Sequence, residues 1–291
     1  MSDYEGRDTK TWKDERLILT ALAQQDFEEP FEIFLIQNNE FREASPDFLF
    51  EIIPDLKIVF SDESQSAKLK DHGVQQTTTE YVAVLEADCV PCREWLRLLV
   101  GVLRAGKEIS VVSGRTIYGQ DTMFKRCLSL TDRAFDDLGE SGLTIHVSNN
   151  GALYRRSVLD EFPYPDAVTP FLSAKPRNQL MHEAGHQFYF ERRAVMEHAI
   201  GGWDFVRDFR RNAGYADLMH YGEGQFSDIP RILYRNLKNE VSDCRRLGAQ
   251  YLHWYDWPLT IFLLFFARIL ELPGMFDAVR RTNRIPRSSY R

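Results

Sequence analysis

The chain has 291 residues, 44% hydrophobic and 13% aromatic, enough to bury one large core or two small ones. A formal charge of −7 opposes non-specific nucleic-acid binding, because a surface that tracks phosphates needs an excess of Lys and Arg. Residues 1–7 show no apolar core of a leader, and Cys89, Cys92, Cys127 and Cys244 read as reduced thiols, so a cytoplasmic compartment is expected.

A helix is predicted over about 12–24, followed by buried strands at 31–36, 56–60 and 81–85, each a short apolar run bounded by polar residues. A second helix is expected over 64–76. Behind Pro91, Trp95, Leu98, Leu99, Val102 and Leu103 follow an i, i+3, i+4, i+7, i+8 stripe, a helix with one apolar face. Gly106 stops it before a strand at 109–113. This alternation through residue 115 implies a doubly wound sheet that binds ligands at the carboxyl ends of its strands. Further along, a helix is expected at 120–138, a strand at 144–147, a short helix from 155 and a strand at 187–190. The longest charge-free apolar run, 257–267, falls short of the ~20 residues that span a bilayer. Trp254, Trp257, Phe262, Phe265, Phe266 and Phe276, flanked by Arg245, Arg246, Arg280 and Arg281, suit either a helix packed on the domain or a segment lying on a membrane.

Glu86 and Asp88 stand two apart where the third strand ends, so the period of two puts both carboxylates on one side of the sheet's rim. Hard oxygen donors suit Mg2+ or Mn2+, and a cation held by one or two carboxylates keeps positions open for diphosphate oxygens. An acid-x-acid strand end is common on its own. The ordered set around it is more specific: Leu22-Ala-Gln-Gln25, the strand running into Asn38 and Asn39, Lys70-Asp-His-Gly73, Tyr81 to Pro91 followed by Trp95-Leu96, Ser148-Asn-Asn-Gly-Ala-Leu-Tyr-Arg-Arg156, and Gly185 to His198. From about Arg16 to Met219 this succession resembles the family 2 glycosyltransferases of GT-A fold.

The resemblance implies an α/β chain with a GT-A-like mixed sheet flanked by helices over residues 1–225, which leaves 226–291 as a helical extension that either packs on the domain or associates with a membrane. It implies transfer of a sugar from a nucleotide-sugar donor to a glycan, lipid-linked or other hydroxyl acceptor, with inversion and with Mg2+ or Mn2+. Glu86, Asp88 and His198 would hold the metal, with Asp88 central to catalysis. Asn38, Asn39, Lys70, Asp71, Glu86, Asn149, Asn150 and Gly151 would line the nucleotide-sugar site, the last three on its acceptor side. For Asn150-Gly151 a tight turn is the plainer reading. Arg207, Arg210 and Arg211 would either face the diphosphate or form a solvated helix face.

Departures from the family pattern carry expectations of their own. Members open with an apolar strand ending in a Pro-Thr-Tyr-like turn, whereas residues 2–7 stand for that turn with no strand before it, which leaves a neighbouring strand unpaired. Gln37 replaces a customary Asp. The carboxylate base expected about twelve residues before Gly185 is replaced by Ser173-Ala174, so the proton would pass to Asp166 or Glu183, with Asp166 preferred because the loop at 162–169 would approach the acceptor. These departures leave open a non-catalytic relative that binds without turnover. Two rivals come from other classes: His182-Glu-Ala-Gly-His186 satisfies the HExxH zinc pattern, although Gly185 should stop the helix it needs, and Cys89-Val-Pro-Cys92 has the spacing of a redox dithiol.

Overall fold

The computed structural model describes residues 12–44, 46–63, 65–148, 150–165, 170–200 and 202–280. Ile18, Leu19 and Leu22 bury one face of α1 (Lys13–Ala23), and β1 (Phe34–Asn38), α2 (Phe48–Ile52), β2 (Lys57–Ser61) and α3 (Ser66–Gln75) follow. Next come β3 (Tyr81–Leu85), β4 (Cys89–Pro91), α4 (Trp95–Ala105) and β5 (Ile109–Ile117). α5 (Met123–Leu128) continues through a π turn and a 3-10 turn to Asp136, and β6 (Gly142–Thr144), β7 (Gly151–Arg155), α6 (Arg156–Glu161), α7 (Pro170–Glu183) and β8 (Gln187–His198) complete the sheet region. Three long helices, α8 (Trp203–Tyr221), α9 (Ile229–Tyr251) and α10 (Trp257–Val279), close the described chain.

The sheet is mixed and flanked by helices, as the resemblance implies, but the doubly wound arrangement read from the first 115 residues does not form. β1 and β2 pair in parallel as a separate two-stranded sheet, from Phe34 opposite Lys57 to Asn38 opposite Ser61. Among the described residues the larger sheet runs β3-β7-β5-β8-β4, with β6 on β8, and only its β5–β8 pairing is parallel. The difference originates at β7, which inserts antiparallel between β3 and β5. Its apolar run is only Ala152-Leu153-Tyr154 before two arginines, so its burial comes from distant partners and not from a pattern of its own. Among the described residues no strand bridges β1 and β3; α3 packs across the break against both, and Gly73 lets it approach Ile36, whose Cγ1 would lie 2.8 Å from an added Cβ. Residues 2–7 lie outside the described residues.

At the other end, α10 lies along α8 with the two backbones in contact at Gly214 and Gly274, where an added Cβ would overlap the partner helix. With its preceding turn, this helix (Trp254–Val279, 26 residues, hydropathy 1.8) is long and apolar enough to cross a membrane by length and composition, which corrects the expectation drawn from 257–267. Arg268 and Glu271 do not end the apolar segment, because they pair with each other at 2.7 Å inside the protein.

Candidate active site

Two antiparallel registers and one bulge assemble the site. In the β3–β7 pair Leu85 lies opposite Gly151, and the Glu86 N–H donates to the Asn150 carbonyl at 3.1 Å, which sets Asn150 beside Glu86. In the β4–β8 pair Cys89 lies opposite His198, and the Ala199 N–H donates to the Asp88 carbonyl at 2.8 Å. β8 reaches this register by bulging: Gly114 on β5 pairs with Glu191 but Arg115 pairs with Val195, so residues 192–194 loop out. A Cβ on Gly114 would overlap the Ala194 carbonyl, so the bulge requires glycine there.

Glu86 is the anchor of the cluster. Its Oε1 accepts from Lys70 Nζ at 2.7 Å and its Oε2 from Asn150 Nδ2 at 2.6 Å, with the Lys70 and Glu86 side chains 4% and 5% exposed. Burial, the largest single influence, lowers the proton affinity of Lys70, but the charge and hydrogen bond of Glu86 together with the Tyr164 and Cys89 groups outweigh it and hold the ammonium above its ordinary value. Removing one partner of such a buried pair leaves an uncompensated charge. Lys70→Ala is therefore expected to cost about 3–5 kcal/mol in urea unfolding, and Lys70→Met combined with Glu86→Gln to recover most of it. Additive losses in the double variant would mean that the two groups are not a pair.

Asp88 faces His198 instead, its Oδ2 3.5 Å from Nε2, while Cys89 Sγ donates to Oδ1 at 3.4 Å. Burial first, then the Glu86 charge, push the Asp88 carboxyl up to about 7. His198 has a fully buried side chain; its Nδ1–H donates to the Ala199 carbonyl at 2.7 Å, which fixes the tautomer and leaves Nε2 with a lone pair and no hydrogen-bond partner among the described residues. Burial, helped by the Arg133 charge, keeps this imidazole neutral by holding it well below its ordinary value. Tyr118 and Phe205 box the ring at centroid distances of 5.7 and 5.4 Å. A bare imidazole lone pair aimed at a buried carboxylate is repulsive unless a proton or a cation lies between them. Ligand atoms of Glu86, Asp88, Cys89 and His198 all lie within 4.8 Å of one another, so the residues fit a divalent ion. Burial and the neighbouring carboxylates push the Cys89 thiol well above its ordinary value.

The remaining expected residues divide. Asn150 joins the cluster through Glu86, and Gly151 is a packing position where a Cβ would overlap Met196. Asn38 donates to the Glu63 carbonyl at 3.0 Å and Asn39 to Asp62 at 2.5 Å, so both tie the end of β1 to the loop after β2. Asp71 accepts the Tyr164 N–H at 2.9 Å, fastening the segment after α6, and burial raises its carboxyl to about 6. Asn149 and Asp166 lie outside the described residues. Ser173 and Ala174 fall early in α7, and Glu183, at its end, accepts from Gln179 at 2.7 Å. Arg210 is buried in an ion network, between Glu240 at 2.7 Å, Glu271 at 3.1 Å and Asp132. Arg211 pairs with Asp277 at 2.5 Å, and exposed Arg207 with Asp204 at 3.1 Å. No motif marks Arg133, whose guanidinium lies 4.8 Å from the Tyr118 ring centroid and donates to Asn150 Oδ1 at 3.4 Å.

Both rival motifs fail on geometry. α7 ends at Glu183 and Gly185 takes φ +91°, so His182 and His186 do not share a helix; His186 Nδ1 hydrogen-bonds Ser110 Oγ at 2.9 Å while His182 packs on Phe188. Cys89 and Cys92 are both free, α4 starts only at Trp95, and a thiol raised at Cys89 is the opposite of an activated one.

The model for glycosyl transferase family 2 matches residues 15–162, just over half of the chain. The chain belongs to glycosyl transferase family 2. No curated protein matches it. Among solved structures, the mannosyltransferase PcManGT from Pyrobaculum calidifontis, in complex with GDP-Man and Mn2+, has a TM-score of 0.56 at 16% identity over 94% of this chain and 84% of that one. TarS 1-349 from S. aureus in complex with UDP-GlcNAc gives 0.49 at 13% identity, over 96% and 89%. The first likeness bears out the GT-A fold of this family 2 glycosyltransferase. The family match stops at residue 162, so His198 and the helices α8 to α10 of the glycosyltransferase are located by the structure.

Proposed function

We propose that this family 2 glycosyltransferase transfers a sugar from a nucleoside-diphosphate donor to a hydroxyl acceptor, with inversion and with Mg2+ or Mn2+ held by Asp88 and His198 beside Glu86. The observation that carries the proposal is the Nε2 of His198, without a hydrogen-bond partner among the described residues and aimed at Asp88 in a buried cluster where β3 ends. A divalent ion there supplies positive charge for the diphosphate and for the negative charge that develops on the leaving group. The chain's own residues do the rest: Lys70 and Asn150 fix Glu86, and the Ala199 carbonyl fixes the imidazole. GDP-Man and Mn2+ in PcManGT support the donor class and the ion. The four free cysteines fit the reducing, cytoplasmic compartment expected for it.

Two carboxylates are candidates for the base that takes the acceptor proton. Asp166 is the expected one; Asp136 is a second, half-buried beside the charges of Arg133 and Lys175, its carboxyl pushed up by burial to about 7, a proton affinity suited to a base at neutral pH. With UDP- and GDP-sugars titrated calorimetrically in MnCl2, binding is expected for the wild type, Asp166→Asn and Asp136→Asn alike. Release of nucleoside diphosphate should fall about 100-fold or more in one of the two variants. Binding without turnover in the wild type would mark a non-catalytic member; no binding with either ion would overturn the proposal.

A further inference from the structure

α10 is built the reverse of a helix that borders water. Its inward face carries Thr260, Arg268 and Glu271, all buried, while every exposed position from 257 to 276 is apolar. Trp257, Ile261, Phe262, Phe265, Ile269 and Phe276, from 36% to 59% exposed, recur at helical spacing along one side, and the other two exposed positions are prolines. The strip extends sideways, since Trp203 of α8 stacks on Phe266 at 5.5 Å and Phe226 lies 6.0 Å from Phe276. Along 23 residues it runs about 35 Å by a helix width of about 10 Å, at least the size of the largest apolar patch on an ordinary monomer.

Charge and composition name the occupant. Residues 280–291 hold five arginines and no acid, in a chain whose net charge is −7, so the sequence that continues from the end of α10 is strongly basic while the rest of the protein is acidic. An anionic surface would attract that end and repel the remainder, which orients the strip toward it. A second copy would bring the same net charge and the same arginines. At the other end Trp254, 84% exposed, Tyr255 and Trp257 are the side chains that favour the boundary between headgroups and hydrocarbon. We propose that the glycosyltransferase docks on an anionic bilayer through the exposed side of α10, the helix lying in the plane of the interface.

The helix lies there and does not cross, because 44% of the apolar window is buried inside the protein. Its inward Arg268 and Glu271 belong to an ion network with Arg210 and Glu240, which a spanning helix would strand in hydrocarbon. The docking does not depend on the sugar-transfer reading. A corollary does: Trp203 follows His198 by five residues, at most about 18 Å of chain, so a docked protein holds its metal cluster near the headgroups, where a lipid-linked acceptor would be presented.

The test uses the full chain with vesicles of phosphatidylcholine containing about one third phosphatidylglycerol, compared with phosphatidylcholine alone. Sedimentation with the anionic vesicles is expected, weakening at high salt, together with quenching of tryptophan fluorescence by brominated lipid. Phe262→Ser with Phe265→Ser should weaken sedimentation at least about tenfold while leaving the melting temperature and calorimetric UDP and GDP binding unchanged, since both rings face outward. Arg281, Arg284 and Arg287 changed to Gln should remove the preference for anionic lipid. Wild-type protein that stays in the supernatant, or a dimer that the two serines dissociate, overturns the proposal. Loss of nucleotide binding with sedimentation intact would instead count against the sugar-transfer reading alone.

Discussion

Asp88→Asn is expected to weaken Mn2+ binding about a thousandfold, roughly 4 kcal/mol at 1.4 kcal/mol per tenfold, and yet to stabilise the cation-free protein. The two effects have one cause. Glu86 has both oxygens engaged by Lys70 and Asn150, so Asp88 is the carboxylate that faces the imidazole lone pair. In the folded state its carboxyl is raised from 3.8 to about 7, so the folded protein binds more protons than the unfolded chain between those values. Stability without cation should therefore fall as pH rises from about 4 to about 7 and then level off, the total being at most a few kcal/mol at about 1.4 kcal/mol per pH unit. Asparagine cannot ionise, so the variant should melt higher than the wild type at pH 8 in EDTA and at the same temperature at pH 4. Proton competition should make wild-type Mn2+ affinity rise about tenfold per pH unit below 7 and flatten above it. Calorimetry and melting curves at pH 5, 6, 7 and 8 check both signs; a variant that binds Mn2+ like the wild type removes Asp88 from the ligand set.

What the sequence made legible follows from how far each interaction reaches. β3 and its two acids could be read because an apolar run ended by carboxylates is a local pattern, and α4 because its stripe lies within eleven residues. His198, 110 residues beyond Asp88, was reached only through the family's ordered motifs, since no local feature separates it from the other imidazoles. The pairing of Lys70 with Glu86, the place of Arg133 and the existence of β7 are consequences of packing, and no periodicity announces them. Arg210 shows the limit most clearly. Three arginines on one helix read as a solvated or ligand-facing set, yet α9 and α10 cover the middle one and supply its carboxylates from 30 and 61 residues away.

The crossing of α8 and α10 invites the second large expectation, because it reverses an ordinary rule. In the middle of a helix Gly→Ala normally stabilises by about 0.5–1 kcal/mol, and Gly101 in α4, with nothing within 4 Å of an added Cβ, should obey. Gly274→Ala should do the opposite. Its Cβ would overlap the Arg211 carbonyl and come within 2.9 Å of the Tyr215 nitrogen, and both obstacles are helix backbone that cannot rotate aside. Relief requires the helices to separate, which opens the core around Leu218 and Met275 and draws Arg210 from Glu271, now 3.1 Å apart, leaving buried charges uncompensated. The expected loss is about 3 kcal/mol or more, against a gain for Gly101→Ala, with both read from urea midpoints on otherwise identical chains. Gly214→Ala should behave like Gly274→Ala, since its Cβ would overlap the Glu271 carbonyl from the opposite side of the same contact. If all three variants shift the midpoint alike, α8 and α10 do not meet backbone to backbone, and the outward face of α10 loses the support that holds it against the protein.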